Sequence, residues 1–290
     1  MAFAIVASVA LLLASILMYF PAVVWHRYRA PRATALMHYR AAQAEAVGST
    51  WEPSYVWVPI ERISPNLEAA VLAAEDSRFY QHHGFDLEQI RDAWERHERG
   101  GRLRGASTIT QQTVKNLYLS PRRDWLRKLR EAVLTGWMEL CLPKGRILEL
   151  YLNIVELGPG IFGAEAAAQW YFDRSVAQLT PRQAALLAAT LPAPLQRNPD
   201  HPSPGLYRLQ NLVLRRMERW YGHGKRRGVP PTSPSPAPNR RHSERLELPE
   251  ASVGAAGDET DSSATHLEEP APAIEEPPVD TLETPAGEMR

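Results

Sequence analysis

Among its 290 residues the chain has one cysteine, Cys141, so no intrachain disulfide can staple it and its core must come from packing alone. Flanked by apolar residues, Cys141 reads as a small buried hydrophobe. Charge is missing from Ala2 to Trp25, where Ile5-Val6, Leu11-Leu12-Leu13 and Val23-Val24 build a long apolar stretch. About 20 such residues suffice to cross a bilayer. The stretch lacks a basic residue before it and a small-x-small site after it, which weakens the signal-peptide reading and predicts an uncleaved transmembrane anchor over 1–25. Aromatic residues are absent beyond Tyr221. Proline, acids and small residues dominate 223–290, which cannot bury enough apolar surface to offset ordering and is predicted disordered. Sustained period-two alternation is absent, and so is any internal repeat.

Net charge is also absent, but only as an average. Residues 223–290 hold 13 acidic and 7 basic side chains, which leaves 26 basic against 20 acidic in residues 1–222. A modestly cationic body suits an anionic partner such as phosphate or acidic lipid, although many proteins with neutral ligands share that balance. Arg27, Arg29, Arg32 and Arg40 follow the apolar stretch, and by the positive-inside tendency they would place the body in the cytoplasm.

What is present between Trp51 and Tyr221 is helical patterning, with a polar connector and a short helix over 26–50 before it. Ser64-Pro65, Asp86 with Gln89, and Thr180-Pro181 with Gln183 are helix starts; Gly84, Gly100-Gly101 and Pro192 are stops. About eight helices and few strands follow, hence an all-α domain.

In the helix opened by Ser64-Pro65, Leu67, Val71 and Glu75 recur every four residues, so Glu75 extends an apolar stripe. Partial desolvation and a nearby helix C-terminus both oppose its ionisation and push it toward the range of a useful general base. A solvated end-of-helix acid is the plainer reading of that stretch alone. The run Gly105-Ala106-Ser107-Thr108-Ile109-Thr110-Gln111-Gln112 leads into Lys115-Asn116. With Ser107 as N-cap, Thr108, Gln112 and Lys115 share one face, a row of hydroxyl, amide and ammonium suited to a sugar pyrophosphate. Arg122, Arg123, Arg127, Lys128 and Arg130 then precede Glu131. Leu126, Leu129, Val133, Trp137 and Leu140 are predicted to form the buried face of that helix. Glu131 would lie off it, either in a surface ion pair with Arg127 or as a second active-site carboxylate among cations.

These segments resemble a known family. Glu75-Asp76-x-x-Phe79-x-x-His82-x-Gly84, the run at 105–116 and Arg127-Lys128-x-x-Glu131 are similar to three signature motifs of glycosyltransferase family 51. Lys144-x-Arg146-Ile147-Leu148-Glu149-x-Tyr151-Leu152-Asn153, continuing through Gly158, Gly160, Gly163 and Tyr171-Phe172, resembles a fourth. The likeness covers roughly residues 55–220, and with no transpeptidase segment after it the chain is most similar to the monofunctional members. One departure is Gln183, where the family is expected to carry Glu; it bears on a helix cap rather than on catalysis.

The resemblance implies a lysozyme-like helical domain over 51–222, with a larger lobe and a small membrane-dipping one. It implies polymerisation of lipid II into β-1,4-linked glycan with inversion. Glu75 would take the proton from the 4-hydroxyl of the acceptor GlcNAc, which attacks C1 of the donor MurNAc as undecaprenyl pyrophosphate leaves. Lys115 and Arg123 match basic positions that stabilise that leaving group, and Glu131 matches a second carboxylate. Asp76, Phe79, Ser107, Thr108, Gln111, Gln112 and Asn116 match positions expected to line the substrate site. That substrate is polymerised outside the cytoplasmic membrane, which would overrule the charge bias around the anchor and set the domain on the outer, periplasmic face of a single-pass protein. No obligatory cofactor is implied and a divalent cation is not indicated: adjacent His82 and His83 point apart, no acid stands at ligand spacing, and His82 is expected to brace the turn. Expected partners are lipid II, the growing strand, the membrane and, through the tail, other wall-building proteins; nucleic acid is not among them. A muramidase or lytic transglycosylase shares the fold and a lone essential Glu but has no use for a pyrophosphate cradle. A non-catalytic membrane-anchored scaffold is the third reading.

Overall fold

Six helices open on a Thr, Ser or Asp whose side chain accepts a backbone N–H of the first turn: Thr34, Ser64, Asp86, Thr108, Asp124 and Thr180. Each such cap satisfies a donor that the helix itself leaves orphaned and is worth about 1 kcal/mol. The computed structural model describes residues 17–49, 51–100, 107–121 and 124–222, all within one compact unit. In chain order the elements are α1 (Phe20–His26), α2 (Ala35–Ala46), β1 (Ser54–Tyr55), α3 (Pro65–Glu75), α4 (Leu87–Glu98), α5 (Ile109–Tyr118) and α6 (Trp125–Cys141). They continue with α7 (Lys144–Ile154), β2 (Glu156–Gly158), β3 (Ile161–Phe162), α8 (Ala164–Phe172), α9 (Pro181–Thr190) and α10 (Pro204–Gly222). Short 3₁₀ turns lie at Ile60–Arg62 and Val176–Gln178.

The centre is α7, in which every residue from Ile147 to Ile154 except half-buried Glu149 is buried. Ile147, Leu148, Leu150, Tyr151, Leu152 and Ile154 are all fully buried there, and each contributes about 1.5–3 kcal/mol by leaving water. Helix α5 packs against α7 and α6, while α3, α9 and α10 pack on one another. The alanines of α8 and α9 have no side chain beyond Cβ, and they are buried against these neighbours.

Two differences from the sequence-based expectation stand out. The domain holds about eight α-helices from α3 onward, but it is mostly helical rather than all-α. A three-stranded sheet runs in the order β1-β3-β2, with β1 parallel to β3 (Ser54 opposite Ile161) and β2 antiparallel to it. Strands of two or three residues are too short to leave a period-two signature. Asn153, at the end of α7, locks the approach to this sheet by accepting from Val58 N and donating to Val58 O, each at 2.8 Å. Gly163 sits at φ +82°, and a Cβ there would meet Asn153 O at 2.2 Å, so only glycine fits. Gly84, read as a helix stop, instead lies in the loop after Asp76 has ended α3, at φ +88°.

No helix among the described residues is long and apolar enough to cross a membrane. Positions 1–16 of the expected anchor, and the whole tail 223–290, lie outside the described residues. The described end of the apolar stretch, α1, packs on α6: Val23 is buried, and Phe20 meets Trp137 edge-on at 5.2 Å between centroids. Arg27 donates to Cys141 O at 2.5 Å, and Arg40 forms a two-pronged pair with buried Glu156 at 2.8 Å.

Candidate active site

Glu75 is the last residue of α3, and Asp76 after it fixes where that helix end points. The buried Asp76 carboxylate accepts from Ile109 N at 3.0 Å, an orphan donor in the first turn of α5, and meets His82 Nε2 at 3.0 Å. His82 Nδ1 accepts from Gly84 N at 3.1 Å, and the Thr108 hydroxyl donates to Gly84 O at 2.7 Å. With Nδ1 accepting, the His82 proton sits on Nε2 and is donated to Asp76. This closed ring pins the end of α3 to the start of α5. Gly84 is needed because an added Cβ would lie 2.7 Å from Thr135 Cγ2. His82 therefore braces the turn, as expected. Contrary to the spacing argument, two acids do reach it: Asp76, His82 and Asp86 bring ligand atoms within 4.8 Å of one another. A cation there would need the His82 nitrogen already committed to Asp76, with the other committed to Gly84, so the trio fits a hydrogen-bonded collar better than a metal centre.

The pinning brings Glu75 against α5. Gln112 Nε2 donates to Glu75 Oε2 at 2.8 Å, and the buried Tyr151 hydroxyl donates to Gln112 Oε1 at 3.2 Å. The tyrosine proton thus dictates which way the Gln112 amide faces. Burial pushes the Glu75 carboxyl above its ordinary range, and the Asp76 charge adds to that; Gln112, Lys115 and Arg197 pull the other way without cancelling it. One helical turn beyond Gln112, half-buried Lys115 has no carboxylate within ion-pair distance among the described residues. Burial lowers its ammonium below the usual lysine range, while Glu131 opposes that shift.

Glu131 is buried, not surface-facing. It binds Arg127 at 2.8 Å and is also paired with Lys128. The face of α6 turned inward is Glu131, Leu134, Thr135 and Met138. The predicted apolar face is only partly covered: Leu126, Val133 and Trp137 are half-buried, while Leu129 is 41% and Leu140 80% exposed. The N-cap of α5 is also one residue later than predicted. Thr108 and Gln111 form a reciprocal capping box, and Ser107 is exposed ahead of it. Asn116 is buried on α5, and buried Phe79 carries Lys144 Nζ at 4.4 Å over its ring. Arg123 lies outside the described residues. Gln183 completes its capping box with Thr180 as a glutamine.

Sequence reasoning quoted Tyr151 within the fourth motif without giving it a role, and it missed Glu139, which accepts from Thr110 at 2.5 Å and Lys144 at 2.7 Å. Glu139 stands eight residues after Glu131, so the correct inward face of α6 would have exposed it. The arrangement can take a proton at Glu75 and hold an anion near Lys115, Arg127 and Lys128.

Residues 43–218 match the family described as Transglycosylase. The chain is 48% identical over 177 residues to a biosynthetic peptidoglycan transglycosylase of Bdellovibrio bacteriovorus, covering 59% of this chain and 71% of that one. It is 45% identical over 214 residues to a protein of the same name from Rhodospirillum centenum, covering 74% and 88%. A third of that name, from Bacteroides thetaiotaomicron, is 44% identical over 198 residues, covering 68% and 79%.

Proposed function

This chain belongs to the transglycosylase family, and from that premise we propose that it is a peptidoglycan glycosyltransferase polymerising lipid II into β-1,4-linked glycan with inversion at MurNAc C1. The observation that carries the reading is the pairing of a desolvated, amide-held carboxylate, Glu75, with a half-buried ammonium, Lys115, that no carboxylate among the described residues neutralises. Glu75 accepts the proton of the acceptor 4-hydroxyl. Its raised basicity makes it, once ionised, a better base than an ordinary glutamate. The hydroxyl oxygen attacks C1, and the bond to undecaprenyl pyrophosphate breaks. Pyrophosphate leaves readily, so the main task is to stabilise its charge, which Lys115 and the Arg127–Lys128 pair do in a partly dry site. Glu131 acts as a positioning residue, holding those two cations in place. Arg123 joins them on the basis of the family motif alone.

A muramidase would also want a glutamate of raised pKa, but it transfers that proton to a neutral glycosidic oxygen and gains nothing from the cations. The proposed setting is a single-pass anchor over 1–25 in the cytoplasmic membrane, with a lysozyme-like two-lobed domain on its outer face. Arg27 and Arg40 support that orientation, since both are spent on contacts within the folded body. The test is incubation with labelled lipid II and separation of products before and after muramidase digestion. Long, muramidase-sensitive polymer is expected; a protein that only cleaves preformed glycan would overturn the reading.

A further inference from the structure

Glu75 borders a second space. A cavity of about 690 Å³ opens between the last turn of α3, the first turns of α4 and the end of α10. Glu75 lines it, whereas Gln112, Lys115, Arg127, Lys128 and Glu131 do not, so it is a space separate from the one those cations border. Its walls carry both signs of charge. Arg216 and Arg219 project from α10 one turn apart and are both exposed. Arg216 Nη1 donates to Ala73 O at 3.3 Å, which holds the guanidinium over the end of α3. On the α4 wall, Glu88 is paired with Arg78, while the Asp92 carboxylate has no ion-pair partner among the described residues.

In an inverting displacement the nucleophile approaches C1 from the face opposite the leaving group. With the pyrophosphate among Lys115, Arg127 and Lys128, the acceptor must come to Glu75 through space those cations do not border, and this cavity borders Glu75 without them. A neutral sugar gives no use to two guanidiniums and an acid. A peptide attached to that sugar, with free carboxylates and an amine, uses all three, and the volume is typical of a ligand site. We infer that the cavity receives the peptide carried by the acceptor, with Arg216 and Arg219 taking its carboxylates and Asp92 its amine. The inference rests on the glycosyltransferase reading above.

Two lipid-linked precursors test it, identical except that one bears a peptide with free carboxylates and the other the same peptide with each carboxylate amidated. Exposed charge pairs are individually weak, so the parent protein should favour the free-carboxylate precursor roughly five- to tenfold in kcat/KM, with the difference carried by KM. The R216Q/R219Q double variant should treat the two precursors alike, and R216E/R219E should favour the amidated one. A parent that polymerises both equally overturns the inference without any variant having to fold, as does a double variant that keeps the preference. If neither precursor yields polymer, the glycosyltransferase reading falls and takes this inference with it.

Discussion

Two largely buried carboxylates of the candidate site stand on two helices, and their surroundings could hardly differ more. Glu75, at the end of α3, is held by one neutral amide, and its charged neighbours leave its carboxyl above the ordinary range. Glu131, early in α6, is buried under an arginine and a lysine that neutralise it directly. Removing a carboxylate from water is costly, and a protein offsets that cost by pairing or tolerates it for function. The α6 region pairs. The α3 region tolerates, and a tolerated desolvated acid beside an ammonium is where proton transfer belongs.

Glu75→Gln should give the largest effect, a loss of about 10²–10⁴-fold in polymerisation, because an amide cannot accept the proton. Its stability should move the other way. A carboxyl whose folded pKa is raised stabilises the fold while protonated, and that contribution is lost as pH rises through the folded value. Above that value the ionised Glu75 is therefore a burden. The variant should melt at or above the parent there, with the gap closing below the ordinary glutamate range. Polymerisation at parental rate, or a fold clearly weakened at neutral pH, would contradict the contrast.

Lys115→Ala should cost about 2–4 kcal/mol of transition-state stabilisation with little change in melting, since the residue gives up no ion pair. Glu131→Gln should show the opposite balance. Leaving Arg127 and Lys128 against a neutral amide in a mostly buried position should cost about 2–3 kcal/mol of folding stability, at or below the usual range because Lys128 can turn to solvent. Calorimetry beside initial rates separates the two. Equal losses of stability in both variants would show that the two regions do not differ as described.

Much of this was legible in the sequence because it is local. Ser64 with Pro65, and Thr180 with Gln183, announce helix starts within four residues, and the cap chemistry needs nothing further away. The motifs naming Glu75, Gln112, Lys115 and Glu131 are equally local. The inward face of α6 was not legible. Leu126, Leu129, Val133, Trp137 and Leu140 form a better apolar stripe than Glu131, Leu134, Thr135 and Met138, yet the polar stripe faces inward. Burial there is decided by partners on α5 and around Gly84, not by hydrophobicity along α6. The sheet was hidden for a related reason, since Ser54 pairs with Ile161 across more than a hundred residues of sequence.

Tyr151→Phe should give the smallest effect, and it probes how tightly the α3 region is set. The hydroxyl donates only to Gln112 Oε1, so its loss removes a hydrogen bond worth about 1 kcal/mol and no packing volume. Gln112 is then free to rotate its amide and turn its oxygen toward Glu75, which repels the ionised carboxylate. The Gln112 hydrogen bond is one of the influences that lower the Glu75 pKa, so weakening it must raise that pKa further. In the parent, activity should rise with pH as Glu75 ionises above the ordinary glutamate range. It should fall again in alkali as Lys115 deprotonates below the ordinary lysine range. Tyr151→Phe should therefore move the acid limb of kcat to higher pH and leave the alkaline limb in place, with a fewfold drop at neutral pH. An acid limb that stays put, or moves to lower pH, would mean that the Tyr151–Gln112 chain does not set the proton affinity of Glu75.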